Sequence, residues 1–266
     1  MSRTTGTSTW TDLSVQDLDA AKAFYSGLFG WTFRDLGEEF GNYSIISNSD
    51  GAPVGGAMSV TGMTGPDGSA LPTGWDVFLT VDDADARLAT ALENGASALS
   101  PIMDVGTDGR NVMLQDPTGA TIGMWQAKEF EGYEFTGNPG SPVWFELMTH
   151  RYDDASAFYT AVFDAQLEAM SEQMEDDSFR YATNGPGESA SWGLGDATGV
   201  MPVEAAGWRI YFGVDSSEQA LARIVELGGK ILDGPVDSPF GRIATIADPE
   251  GATFQISAMG EAVAEG

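Results

Sequence analysis

The stretch "WTDLSVQDLDAAKAFYSGLFG" (Trp10–Gly30) changes its apolar period part-way along. Its opening, read with the preceding threonine as "TWTDLSV", alternates large and small side chains with the period of two of a half-buried strand. From Leu18 the period lengthens, and Leu18, Ala21, Phe24, Tyr25 and Leu28 fall at helical spacing on one face. Asp17 stands just before that run, where a side-chain carboxylate caps a helix start. Beyond Gly30, "WTFRDLG", "NYSIIS" and "GGAMSV" are short strand candidates separated by Gly, Asn and Asp turn signals. The unit is one strand, one helix and three strands.

The same order follows at once. "DVFLTV" predicts a strand, Asp83–Asn94 a helix, and "ASALSPIMDV", "RNVMLQD" and "ATIGMWQ" three further strands. Asp116-Pro117-Thr118-Gly119 is a turn, with proline preset and glycine free to take positive φ, so it closes a hairpin. The whole pattern then returns. Trp10–Gly30 reappears as "WFELMTHRYDDASAFYTAVFD" (Trp144–Asp164), keeping W-x-acid-L and A-x-x-F-Y. "WDVFLTVDDADARLATALENGA" (Trp75–Ala96) reappears as "WRIYFGVDSSEQALARIVELGG" (Trp208–Gly229), and Gly109–Met124 as "GRIATIADPEGATFQI" (Gly241–Ile256). The chain thus reads as α+β, with two homologous domains, 1–130 and 142–266, each of two βαβββ units: 8–60 and 73–128, then 142–196 and 206–258. "EGYEFTGNPGSP", rich in Gly and Pro without apolar periodicity, supplies the linker 131–141.

Composition narrows the function classes. The 266 residues carry 40 acidic against 12 basic side chains, a formal charge of −28, which repels phosphate backbones and anionic membranes. Neither nucleic acid nor membrane is expected as a partner; such acidity reads first as a well-solvated surface that favours solubility, and otherwise as attraction of a cationic ligand. Without cysteine there is no disulfide framework, thiolate metal site or cysteine nucleophile. No run approaches a membrane span, and "MSRTTGTSTW" lacks the apolar core of a secretory signal, so a soluble, cytoplasmic protein is expected.

Four βαβββ units, an F-Y on the first helix of each half and D-P-x-G before each half's last strand resemble the vicinal oxygen chelate superfamily. This is the family of glyoxalase I, extradiol dioxygenases and bleomycin-resistance proteins. The resemblance covers about residues 8–128 and 142–258, and implies curved mixed sheets around cavities. Enzymes of the family hold a divalent metal there, through His or Gln on a unit's first strand and Glu on its last. Counted back from Asp17, the first-strand ligand falls on Trp10, and in the second half on Trp144. In the second unit of each half it falls on Asp76 and Arg209, and the last-strand glutamate falls on Gly123 and Gln255. Indole nitrogen is a donor only and ligates nothing, while glycine at the centre of an apolar strand marks a place where something else takes the room. The sole histidine, His150, aligns with Gln16, where the family keeps no ligand, and a surface or local hydrogen-bonding role is expected of it.

The expectation is therefore a metal site and a cofactor lost, with a cavity walled by aromatic groups instead. By alternation its face includes Trp10, Asp12, Ser14, Asp76, Phe78, Thr121, Gly123 and Trp125 in the first half. The second half matches it with Trp144, Glu146, Met148, Arg209, Tyr211, Thr253 and Gln255. Such a wall suits a planar aromatic small molecule, neutral or cationic, such as an antibiotic or polyketide natural product, held for sequestration and resistance or for hand-over to a biosynthetic enzyme. Arg110 and Arg242 either border the cavity or pair with surface acids. Two other readings stand beside this one. Asp12, Asp76 or Glu146 would serve a lyase- or hydroxylase-like enzyme as acid, base or atypical metal ligand; or the cavity is filled by its own side chains. With both copies of the repeat on one chain, a monomeric pseudo-dimer is expected.

Overall fold

The computed structural model describes residues 3–65, 67–133, 137–170 and 179–261. The first module holds β1 (Ser8–Val15), α1 (Leu18–Phe29), β2 (Thr32–Asp35), β3 (Ser44–Ser47) and β4 (Pro53–Ser59). The second holds β5 (Gly74–Thr80), α2 (Ala84–Glu93), β6 (Ser97–Ala98), β7 (Met103–Val105), β8 (Gly109–Gln115) and β9 (Thr121–Ala127). The third holds β10 (Pro142–Thr149), α3 (Tyr152–Phe163), β11 (Glu168–Ala169), β12 (Tyr181–Thr183) and β13 (Gly193–Asp196). The fourth holds β14 (Gly207–Gly213), α4 (Ser217–Glu226), β15 (Lys230–Ser238), β16 (Gly241–Ala247) and β17 (Thr253–Ala258). The strands form two mixed sheets, of nine and eight strands. The expected linker passes through 134–136, outside the described residues. No helix among the described residues is long and apolar enough to cross a membrane.

The local signals work as the chemistry predicts. The Asp17 carboxylate accepts from the Ala20 N–H at 3.0 Å, and Asp83 caps α2 through the N–H groups of Asp85 and Ala86. Gly30 ends α1 at φ 69°, its N–H returning to the Ser26 carbonyl. In α3 the matching left-handed position is Asp164, at φ 54°, whose carboxylate Arg87 grips at 2.6 Å while also holding Asp82 at 2.8 Å. One expected strand divides: "ASALSPIMDV" becomes β6 and β7, because Pro101 between them brings no N–H to a ladder.

Two compact units form, and neither is a half of the chain. One gathers Met1–Trp10, Asp76–Gly132 and Phe145–Arg209, hence the second and third modules; the other gathers Thr11–Trp75, Tyr133–Trp144 and Ile210–Gly266, the first and fourth. Helix packing follows this grouping, α2 against α3 in one unit and α1 against α4 in the other.

Inside each unit the F-Y of one repeat meets the D-P-x-G aspartate of the other. The Tyr25 hydroxyl donates to Asp248 Oδ2 at 3.1 Å and accepts from Trp75 Nε1 at 3.0 Å. Likewise the Tyr159 hydroxyl donates to Asp116 Oδ2 at 2.9 Å and accepts from Trp208 Nε1 at 2.9 Å. The other carboxylate oxygen holds the hairpin turn: Asp248 Oδ1 takes the N–H groups of Glu250 and Ala252, and Asp116 Oδ1 those of Thr118 and Ala120. Aromatic rings seal the contact, with Trp31 stacked on Tyr25 at 5.4 Å and Phe163 on Tyr159 at 5.6 Å. Both tyrosines are fully buried. Burial, then the neighbouring carboxylate, pushes their hydroxyls well above the ordinary tyrosine range.

Candidate functional site

In the unit of the second and third modules, β5, β9 and β8 expose one side to the core, through Val77, Leu79, Ile122, Met124, Val112 and Leu114, all fully buried. Register puts two rows on the other side: Phe78, Gly123 and Met113, then Thr80, Trp125 and Asn111. Gly123 now has its account. A Cβ built there would run into the Phe78 ring, so the space beside the glycine is taken by an aromatic side chain. One row along, Trp125 leans over Gly109 in the same way and donates its Nε1–H to the Phe130 carbonyl at 2.9 Å. The Phe130 ring stands edge-to-face with Trp10 at 5.1 Å and with Trp125 at 6.1 Å. Its segment is tied down, since the Phe130 N–H reaches the Asp108 carbonyl and Thr9 Oγ1 donates to the Glu131 carbonyl. Either side of Trp125, Thr80 Oγ1 and Asn111 Oδ1 are buried without hydrogen-bond partners among the described residues.

The acidic positions are built differently. In the unit of the first and fourth modules, Asp12 pairs in register with Gly56, and the Tyr43 hydroxyl donates to Asp12 Oδ1 at 2.5 Å. A Cβ at 56 would collide with that hydroxyl, so the glycine admits the phenol. The other unit repeats the plan with Glu146 opposite Gly193 and the Tyr181 hydroxyl against that glycine; Arg209 Nη1 lies 3.9 Å from Glu146 Oε2. Asp76, Thr121 and Trp144 are half-buried on β5, β9 and β10, and Met148 is buried on β10. Tyr211, Gln255 and Thr245 form one row across β14, β17 and β16. Arg110 pairs with Asp85 at 2.7 Å and Arg242 with Asp237 at 3.4 Å, so both arginines answer surface acids. His150 departs from expectation: its ring is half-buried, and Nε2 finds no partner among the described residues.

The structure thus brings Trp10, Phe78, Gly123 and Trp125 onto one aromatic face, joins Glu146 to Arg209, and sets Tyr211 beside Gln255. Sequence reasoning missed Phe130, which lies beyond the last predicted strand, and Tyr43. Thr80 shares the alternation of Phe78 and was within reach; Asn111 needed the register. Among the described residues no three His, Cys, Asp or Glu side chains gather into a group fit to hold a metal ion. Of the positions to which the resemblance assigns ligands, Trp10 carries a donor-only indole and Gly123 no side chain, so neither supplies a ligand atom.

The sequence profile of the Glyoxalase/Bleomycin resistance protein/Dioxygenase superfamily matches residues 7–124 and 141–256. The chain belongs to this superfamily. Within the superfamily it is similar to the anthracycline biosynthesis protein DauV of Streptomyces sp. (strain C5), 33% identical with 97% of this chain and 94% of that protein covered. It is 34% identical to Mycobacterium tuberculosis CFP32, provisionally named a glyoxylase, with 94% of each chain covered. Among solved structures it superposes on the Mn(II)-bound glyoxalase of Novosphingobium aromaticivorans with a TM-score of 0.63 at 16% identity, covering 97% of this chain and 84% of that one. That likeness is one of fold.

Proposed function

We propose that the protein binds a planar aromatic small molecule of the polyketide type without the help of a metal, as a biosynthetic accessory or sequestering protein. The observation that carries this is the aromatic face itself, with Trp10 and Trp125 against the Phe130 ring and the Phe78 ring over Gly123; Trp10 and Gly123 are two of the positions to which the resemblance assigns ion ligands. The name of DauV, an anthracycline biosynthesis protein, supports a polycyclic aromatic ligand. The charge of −28 favours a cationic one. An enzymatic use of the carboxylates has less support, because Asp12 already takes the Tyr43 hydroxyl and Glu146 lies beside Arg209.

In this reading the Phe130 ring sits where the ligand's ring goes, against Trp10, and gives way to it. Titration with the cationic anthraquinone mitoxantrone at physiological ionic strength, followed by tryptophan quenching, tests it. Trp10→Ala is expected to weaken binding by about 1–2 kcal/mol through lost stacking, and Phe130→Ala to tighten it severalfold. A second reading follows from burial: Trp10 and Trp125 are each only 7% exposed, as plain packing would leave them. Unchanged affinity in both variants, or no quenching in the wild-type protein, would decide for that one.

A further inference from the structure

Gln255 is 2% exposed, and its Oε1 is buried without a hydrogen-bond partner among the described residues. An orphaned carbonyl oxygen inside a protein is costly, and natural structures keep few of them. Packing gives no reason for it. The neighbouring Phe254 and Ile256 point to the opposite side of the sheet, where Phe254 meets Phe24 and Tyr25 of α1, so the core on that side is complete without residue 255. On its own side an apolar side chain of similar volume would fill the place without the penalty.

A carboxamide oxygen accepts hydrogen bonds and never donates them, so its complement is a donor. A cation would be better met by a carboxylate, and the described residues gather no acidic group for a metal. Gln255 stands in one row with Tyr211 on one side and Thr245 on the other, so its neighbours across the sheet are an aromatic and a small polar residue. We infer that Gln255 Oε1 accepts a hydrogen bond from a hydroxyl on the edge of a planar aromatic ligand seated in the unit of the first and fourth modules. This rests on the proposed aromatic-ligand function and adds what it selects: a ring bearing a free hydroxyl over the bare or blocked ring. In the first half Gly123 and Phe78 stand at the corresponding positions, so that half does not offer this amide.

The test compares 2-hydroxyanthraquinone with 2-methoxyanthraquinone, matched rings of which one has its donor blocked, at mildly acidic pH where the phenol stays protonated. Wild-type protein is expected to bind the hydroxyl compound roughly tenfold tighter, and Gln255→Leu to bind the two within about twofold. The variant is also expected to melt no lower than wild type, since it loses only an unpaired polar atom. A variant that keeps the tenfold preference overturns the inference. So does a clearly lowered melting temperature, which would show the amide partnered in the free protein. Mitoxantrone binding by wild-type protein with no discrimination between the two neutral probes overturns the inference alone. Failure of all three compounds to bind withdraws the aromatic-ligand function and the inference with it.

Discussion

Asp248→Ala is expected to lower the unfolding free energy by about 4 kcal/mol, because one substitution strands a buried tyrosine hydroxyl and two turn N–H groups together. Asp248 Oδ2 accepts from Tyr25, and Oδ1 from Glu250 and Ala252, and the residue is only 2% exposed. Urea denaturation should show the midpoint falling at unchanged slope. Asp116→Ala should do the same through Tyr159, Thr118 and Ala120. Tyr25→Phe removes one donor and should cost less, about 1.5–2 kcal/mol. The same contact sets an alkaline limit. Folding holds the Tyr25 and Tyr159 hydroxyls well above their ordinary value of 10.0, so their contribution is complete below that pH and is lost as pH rises through the folded-state value. Tyrosinate absorbance should therefore rise cooperatively with unfolding. Asp248 itself is raised by burial against its hydrogen bonds, so its own contribution is present in acid and fades as pH climbs through its shifted value. An Asp248→Ala protein as stable as wild type would show that the phenol and the turn are independent.

Gly123→Glu, which puts a carboxylate where the resemblance assigns one, is expected to destabilise the protein by about 4 kcal/mol by forcing the Phe78 ring aside and burying a charge. The obstacle is the ring and not the backbone, because Gly123 is not among the glycines held at positive φ. Phe78→Ala combined with Gly123→Glu should therefore recover part of the loss, and calorimetry with manganese should still find no tight site, since one carboxylate supplies one ligand of the three or more required. A Gly123→Glu protein with an unchanged urea midpoint would mean that Phe78 is free to leave, and the aromatic face would lose its firmest element.

Much of this fold is legible because the signals are local. The change of period after Asp17, the Asp17 cap and the Asp116–Gly119 turn each involve neighbours in sequence, and each forms as read. The division of one strand at Pro101 was also local, and a stricter reading of proline would have found it. Alternation also sets Gly123 on the side of β9 away from the buried Ile122 and Met124, because a strand's side chains turn to opposite faces. What spacing cannot carry is the partner across the sheet or from another repeat. Phe78 fills the place of a side chain at 123 only because β5 and β9 pair in that register, and Phe130 reaches Trp10 from a segment without periodicity. Nothing local announces that Tyr25 finds its carboxylate 223 positions away while an equivalent aspartate lies in its own repeat.

That reciprocal exchange has a bearing on inheritance. A polypeptide cut at the junction of its two copies would leave each fragment with a phenol lacking its acceptor and a hairpin aspartate lacking its donor, so neither fragment is self-sufficient. Substitutions at Tyr25 and Asp248, or at Tyr159 and Asp116, consequently fall under one constraint although they lie in different copies. The surfaces facing away from those contacts carry no such tie, so one copy can carry a glutamine at 255 where the other carries a glycine at 123.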